Sequence, residues 1–460
     1  MILGEGLPFI RDYVDSVNAA IKKQAPEKKL SRLQCYWLSF VILGVLVTNT
    51  LCWNRFERFS MGKYKSPAMC WVFRKSKLAW DLLLYGTTLK LLEFYGIRQG
   101  ILAIDDTDSE RSKNTTEIAK VHKIRDKKRS GFFHGQNIVF LLLVTEKITI
   151  PVGFEFHEPD PALTIWRRED KRLRKSGVSN QFRPKRPNQN ADYPSKKELA
   201  LKLLKRFVSD FPTIKIKAVV ADLFYDTQEF MTQAHEITGQ SQVISQIKRT
   251  QMINVNGIYV QVEKFFENYQ GKTEIVQLRH HEKKVTYRVS KFKVKSHQKK
   301  CYVIALKYED ESEYRYLIAY DMSWNGIDVI KAYALRWLVE VFIQDWKSYE
   351  GWSQLAMQRG IEGSERGLTI SLLSDHVLHF HQEQIDLYED NKPAATVGSL
   401  REKIMMESLS AFIEKIVKSD DPKALFDGYA DKISELFALR SSLKHMRGTD
   451  IETLGTPMPC

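Results

Sequence analysis

The sequence predicts an α/β fold with helical regions at both ends and a β-rich segment in its second half. Three observations carry that prediction. Apolar runs rich in β-branched residues stop at carboxylates, first at Asp105 and again at Asp222. Stretches between residues 241 and 322 alternate apolar and polar side chains, the period of strands. Residues 1–95, and the chain from Val329 onward, repeat apolar side chains at helical spacing instead. With 460 residues the chain has room for about two to four domains.

The first 95 residues read as short helices, with Leu78, Leu82, Leu83, Leu89, Leu92 and Phe94 on the apolar side of one of them. Basic residues such as Lys28, Lys29, Arg55, Arg58, Lys63, Lys65, Arg74 and Lys75 punctuate the region, which suits a DNA-binding module. Cys35 to Trp53 is about as long as a membrane span. It carries Ser39, Thr48, Asn49 and Thr50, so we read it as a buried helix and expect no membrane association.

At Gly100 the texture changes. Ile101–Ile104 is a strand that runs into Asp105, Asp106, Thr107 and Asp108, and Ile138–Val144 and Ile148–Phe156 are further strands. Residues 167–197 hold eleven Lys or Arg, three acids and three Pro, which predicts a flexible basic loop able to order on phosphates. Glu198–Phe211 is an amphipathic helix, Ile214–Val220 a strand, and Thr227–Ile237 a helix. Strands are then expected at Gln242–Ile247, Gly257–Val262, Thr273–Arg279, Lys283–Val289, Cys301–Tyr308 and Tyr314–Tyr320. Val329–Lys347 is one helix, and the rest is mostly helical to about His445, with a loop near Asn391–Val397 and a frayed tail after Gly448. The expected division is a helical DNA-binding domain (1–95), a core (96–240 and 323–390), a β-rich insertion (241–322) and a helical C-terminal region (391–460).

Charge points to the partner. Seventy Lys and Arg against 56 Asp and Glu give a net charge of +14, which fits a polyanion, nucleic acid first. Five cysteines are scattered without CxxC spacing, so free thiols in a reducing compartment are expected.

The chemistry-bearing residues are Asp105 or its neighbour Asp106, Asp222, and Glu340. Strand side chains alternate, so only one of the adjacent pair faces a given site. The end of the apolar run picks Asp105, and the following threonine picks Asp106. Tyr333, Arg336, Glu340 and Lys347, at offsets 0, 3, 7 and 14, fall on one stripe of the expected helix. Asp108, Asp226 and Asp345 read as solvated or supporting carboxylates. His376, His379 and His381 have poor spacing for a shared metal. The basic run His122, Lys123, Arg125, Lys127, Lys128 and Arg129 suits either phosphate contact or a solvated loop.

The spacing Tyr-x2-Arg-x3-Glu-x6-Lys resembles the signature of a branch of DDE transposases from bacterial insertion sequences, matched at Tyr333, Arg336, Glu340 and Lys347. Ala221-Asp222-Leu223-Phe224-Tyr225 resembles that family's second-aspartate motif, and Ile104-Asp105-Asp106-Thr107 its first. The 118-residue gap from Asp222 to Glu340 (340 − 222) leaves room for the family's β-rich insertion. The resemblance implies an RNase H-like core and two Mg²⁺ (or Mn²⁺) ions on Asp105, Asp222 and Glu340. It implies cleavage of double-stranded DNA at transposon ends and joining of the freed 3′-OH to target DNA by a homodimer. It assigns Tyr333, Arg336 and Lys347 to DNA contacts, offers Trp324 as a base-stacking residue, and places the protein in the bacterial cytoplasm at the nucleoid. The alternatives are a metal-dependent nuclease of the same fold and a catalytically inactive DNA-binding derivative.

Overall fold

A computed structural model describes residues 7–112, 115–126, 130–267, 271–278, 281–352 and 359–436. Five helices come first: α1 (Pro8–Gln24), α2 (Arg32–Thr48), α3 (Trp53–Phe59), α4 (Ser66–Lys75) and α5 (Trp80–Phe94). Next come β1 (Gln99–Glu110), β2 (His122–Arg125), β3 (Phe132–Val144), β4 (Thr149–His157), α6 (Pro161–Lys175), α7 (Lys196–Asp210), β5 (Lys215–Ala221), α8 (Gln228–Ile237) and β6 (Gln242–Gln246). The β-rich part holds β7 (Met252–Val255), β8 (Ile258–Gln261), α9 (Val262–Glu267), β9 (Lys272–Leu278), β10 (His281–Val294), β11 (Lys300–Tyr308) and β12 (Arg315–Ala319). Six helices follow: α10 (Gly326–Ala334), α11 (Trp337–Tyr349), α12 (Gly360–Leu378), α13 (Gln382–Glu389), α14 (Val397–Val417) and α15 (Pro422–Leu436).

The strands form one mixed sheet in the order β2-β3-β1-β5-β6-β12-β11-β10-β7-β8, with β4 on β3 and β9 on β10. β1, β3 and β4 pair antiparallel, whereas β1, β5 and β6 run parallel. β6, expected within the 241–322 segment, therefore sits in the central sheet beside β5. From β12 onward the sheet continues antiparallel.

Pleating sends alternate residues of β1 into two different cores. Leu102 and Ile104 pack with Leu199, Leu203 and Phe207 of α7 and Met231 of α8. Ala103 faces the other way, into a core with Phe140, Tyr333, Phe342 and Trp346. There α11 docks on β3 through the Phe140 and Trp346 rings, 5.0 Å apart, and the Trp346 indole N–H donates to Ser371 Oγ of α12 at 2.9 Å. A third core joins α1, α2 and α5 to α12 and α14, so helices from the two ends of the chain share one interior. Trp37 to Thr48 of α2 are buried there, and no single described helix is long and apolar enough to cross a membrane. The pair α2 and α3 has the length and composition together, but bends by 89° between them.

Two expectations are corrected. Residues 167–175 are the body of α6, not loop: Asp160 caps the helix through Ala162 N and Leu163 N, Pro161 occupies the first turn, and the three prolines of the basic stretch all follow the helix. Second, the expected continuous helix over Val329–Lys347 is broken at Leu335–Arg336. There Arg336 N bonds Tyr333 O at 3.0 Å and Val339 N bonds Arg336 O at 3.0 Å, the tighter 3₁₀ pattern. The tail after Gly448, including Cys460, lies outside the described residues.

At the end of α11 an acid pair is sealed in the interior. Glu350 and Asp375 of α12 are buried against each other, and Glu350 stands near Arg401, whose Nε–H donates to Leu46 O. Burial raises the pKa of both, and for Glu350 the neighbouring Asp375 adds to the rise. Two carboxyl groups in contact need a proton between them. An unfolded chain releases that proton in the ordinary carboxylate range, near 4. At higher pH the folded state thus holds more protons than the unfolded one, and stability must fall. The thermal midpoint should decline between about pH 5 and about pH 8, and the double variant Glu350→Gln, Asp375→Asn should flatten that decline. An equal slope in wild type and variant would remove the pair as its source.

Candidate active site

The parallel register of β1 and β5 pairs Ile104 with Ala221, so the next residues, Asp105 and Asp222, lie side by side at the strand ends. Neighbouring strands are about 4.8 Å apart, which makes these two carboxylates near neighbours. Asp222 Oδ1 accepts from Phe224 N at 2.9 Å and caps a short 3₁₀ turn, while its carbonyl accepts from Ser245 Oγ of β6 at 2.7 Å. Asp105 Oδ1 accepts from Asp106 N at 2.8 Å.

Pleating separates the two adjacent aspartates. Asp105 shares the face of Ala103 and meets α11, and its Oδ2 accepts from Arg336 Nη1 at 2.8 Å. Asp106 shares the face of Ile104 and meets α7, where Lys196 Nζ lies 2.6 Å from its Oδ2. Asn137 Nδ2 of β3 also donates to Asp106, at 3.0 Å, and to Asp108 Oδ1, at 2.6 Å.

Arg336 organises the α11 side. Its second amino group bonds Glu340, so one guanidinium joins Asp105 to Glu340. Arg336 is 15 % exposed and Glu340 49 %. In the 3₁₀ junction residues three apart eclipse, which sets the Arg336 guanidinium over the Tyr333 ring, 5.9 Å from Cζ to centroid. Tyr333 buries its hydroxyl there instead of offering it to a phosphate, and burial pushes its pKa up to about 12. Lys347 donates to Thr107 Oγ1 and to Asp108 O, both at 2.6 Å, and so ties the far end of α11 to β1.

Burial raises the Asp105 pKa to about 6. Arg336 and the Asp106 N–H pull it down, and Asp222 and Asp106 push it up. Tyr225 lies within the same group of carboxylates, fully buried, with a hydroxyl that has no hydrogen-bond partner among the described residues. Burial, then Asp106, Asp222 and Asp105, hold its proton far above the ordinary phenol range.

Asp105 and Asp222 fit the divalent ions that the resemblance implies: both are oxygen donors at adjacent strand ends, and a cation would offset the desolvation, and the lesser repulsion from Asp222, that raise Asp105. Glu340 does not complete a set, because it is turned to Arg336. Among the described residues no three His, Cys, Asp or Glu side chains are close enough to hold a metal ion. Asp105 and Asp222 thus stand as a pair, and Glu340 is linked to Asp105 through the Arg336 guanidinium.

Other sequence candidates fall elsewhere. Trp324 is half-buried beside a groove of about 1200 Å³ that also reaches Tyr308, Trp337, Arg336 and Glu340. Asp226 is not solvated: it is buried, with His297 Nε2 3.1 Å from its Oδ1. Asp345 lines a separate cavity of about 770 Å³ with Asp375, and burial raises its pKa. His376 is held between Thr87 Oγ1, at 3.1 Å, and Pro151 O, at 2.9 Å, and burial drops its pKa to about 3. Lys127, Lys128 and Arg129 lie outside the described residues. The sequence gives no sign of Asn137 or Ser245, places Lys196 only within the basic stretch, and names Tyr225 only as the end of the Asp222 motif.

No family model and no curated protein matches this sequence. Among solved structures, the chain is similar to the piggyBac transposase in its cryo-EM synaptic complex with hairpin DNA. The TM-score is 0.40 and the identity 11 %, over 97 % of this chain and 85 % of that one.

The Arg336 contact makes a direct prediction. Arg336→Ala removes the cation that lowers Asp105, so the Asp105 pKa should rise above about 6. Carboxyl ¹³C titration, with Asp105→Asn to assign the resonance, reads the shift, and a fall would contradict the placement of Arg336.

Proposed function

We propose that the protein is a DDE-type transposase with an RNase H-like core. It would cut transposon DNA ends and join the freed 3′-OH to target DNA as a homodimer. The observation that carries the reading is the pairing of Asp105 with Asp222 at adjacent parallel strand ends, with the Arg336–Glu340 end of α11 bearing on Asp105. The sequence signature through Tyr333, Arg336, Glu340 and Lys347 supports it. So does the order of strands: three antiparallel (β4, β3, β1), then two parallel (β5, β6), as in an RNase H-like core.

In this reading Asp105 and Asp222 would hold the divalent ion, and Glu340 would add a third oxygen donor once Arg336 releases it. The ion, when bound, activates the attacking hydroxyl and stabilises the leaving 3′-oxygen. Asp106, on the opposite face with Lys196, supports the strand end and is not a ligand. Arg336 exchanges its carboxylate partners for a DNA phosphate, a fork it binds equally well in shape. Tyr333 fixes the plane of Arg336. Lys347 holds α11 in register with β1. Trp324, on the groove next to Glu340, offers a face on which a displaced base can stack. A nuclease that stops after cleavage would use the same residues, and a joining assay with pre-cleaved ends separates the two.

Asp222→Asn and Glu340→Ala should each cut Mn²⁺-dependent strand scission of a duplex by roughly 10³-fold or more. Duplex affinity should stay within about threefold of wild type, since phosphate contacts dominate it. Scission that persists in Glu340→Ala sinks the reading.

A further inference from the structure

The basic stretch after β4 is built as an arm. Asp160, just past the end of β4, both caps α6 and accepts from Asn190 N at 3.0 Å, so the outgoing and returning chains are pinned at one carboxylate. Asp170 on α6 bonds Arg183 at 2.8 Å, and the Trp166 indole N–H donates to Pro184 O at 2.8 Å, which lays the return strand along the helix. α6 itself buries only Leu163. The arm holds together by its own contacts and stands off the body.

Its charges are sorted by face. Asp170 and Arg174 lie on the side toward the return strand, and Glu169 is used by Arg172. Arg168, Lys171 and Lys175 stand at offsets 0, 3 and 7, one stripe of the helix, and are exposed. Among the described residues none of the three makes an ion pair, and neither do the exposed Lys185 and Arg186. The root of the arm lies at the same end of the sheet as the candidate site: β4 runs parallel to β1, and α7, which follows the arm, sends Lys196 to Asp106.

We infer that residues 161–193 are a preordered arm that grips the phosphate backbone of duplex DNA beside the candidate active site. The inference rests on the proposed function for the identity of the polyanion. Fifteen residues of α6 span about 22 Å, which matches about six to seven base pairs of duplex. The large apolar side chains that the arm exposes are Ile165 and Phe182, too few for the broad face that seats a helix in a lipid surface, so the cation stripe suits phosphates better. Because the helix is already capped and cross-braced, it binds without the ordering cost of a disordered basic tail.

The test is equilibrium binding of the full chain to a duplex of about 30 base pairs, in EDTA, across a salt series. The triple variant R168Q/K171Q/K175Q is compared with wild type and with K415Q/K423Q/K432Q, which removes the same charge from α14 and α15. Each lost phosphate contact lowers the slope of log K against log salt by about 0.9, so the arm variant should lose about 2 to 3 in slope and about tenfold or more in affinity near 0.1 M salt. The charge-reversed R168E/K171E/K175E should lose more, and the control should match wild type. Unchanged melting curves establish that the variants fold. A wild-type slope in the arm variant, or an equal loss in the control, overturns the inference. So does loss of binding to phosphatidylserine vesicles with duplex binding intact. Wild-type protein that does not bind duplex at all fails the proposed function instead.

Discussion

A guanidinium between two carboxylates holds the candidate site together. Asp105 is half-buried at a strand end beside Asp222, with Asp106 next in the chain, an arrangement that electrostatics alone would push apart. Arg336 offsets that repulsion from one side and anchors Glu340 from the other. Its position depends on the 3₁₀ junction between α10 and α11, which eclipses it on Tyr333 and aims it at β1. An Arg in this place can serve carboxylate or phosphate alike, because its fork fits either anion.

The rest of the fold holds α11 over β1. Phe140, Phe342, Trp346 and Trp352 fill the space between α11 and the sheet, and Trp346 is bonded to Ser371 of α12. α12 in turn belongs to the interior shared by α1, α2, α5 and α14. Stability of the terminal helices is thus coupled to placement of Glu340. The protonated Glu350–Asp375 pair sits at the joint between these parts, where α11 ends and α12 passes.

Much of this was legible locally. The apolar runs before Asp105 and Asp222 are strands because their β-branched residues need burial on both faces, and parallel β1 and β5 supply it. The four-residue spacing falls across α10, the junction and α11, the part of the chain that bears on Asp105. The basic segment was misread because its composition, rich in charge and proline, masks a capped helix whose prolines come only after it. The uninterrupted helical period over Val329–Lys347 gave no sign of the junction at Arg336, since 3₁₀ turns need only small changes in backbone angles.

Alone, the sequence determined the alternation of strands and helices, the basic balance, and the spacing of Tyr333, Arg336, Glu340 and Lys347. These are properties of neighbouring residues, and periodicity reads them directly. Only the tertiary structure decided that Asp105 faces α11 and Asp106 faces α7, that β6 joins the central sheet, and that Glu340 reaches Asp105 through Arg336. Those facts depend on pairings between segments separated in the chain, from 24 residues for Ala218 with Gln242 to 231 for Arg336 with Asp105. Local pattern carries no information about which distant strand or cation will be the neighbour.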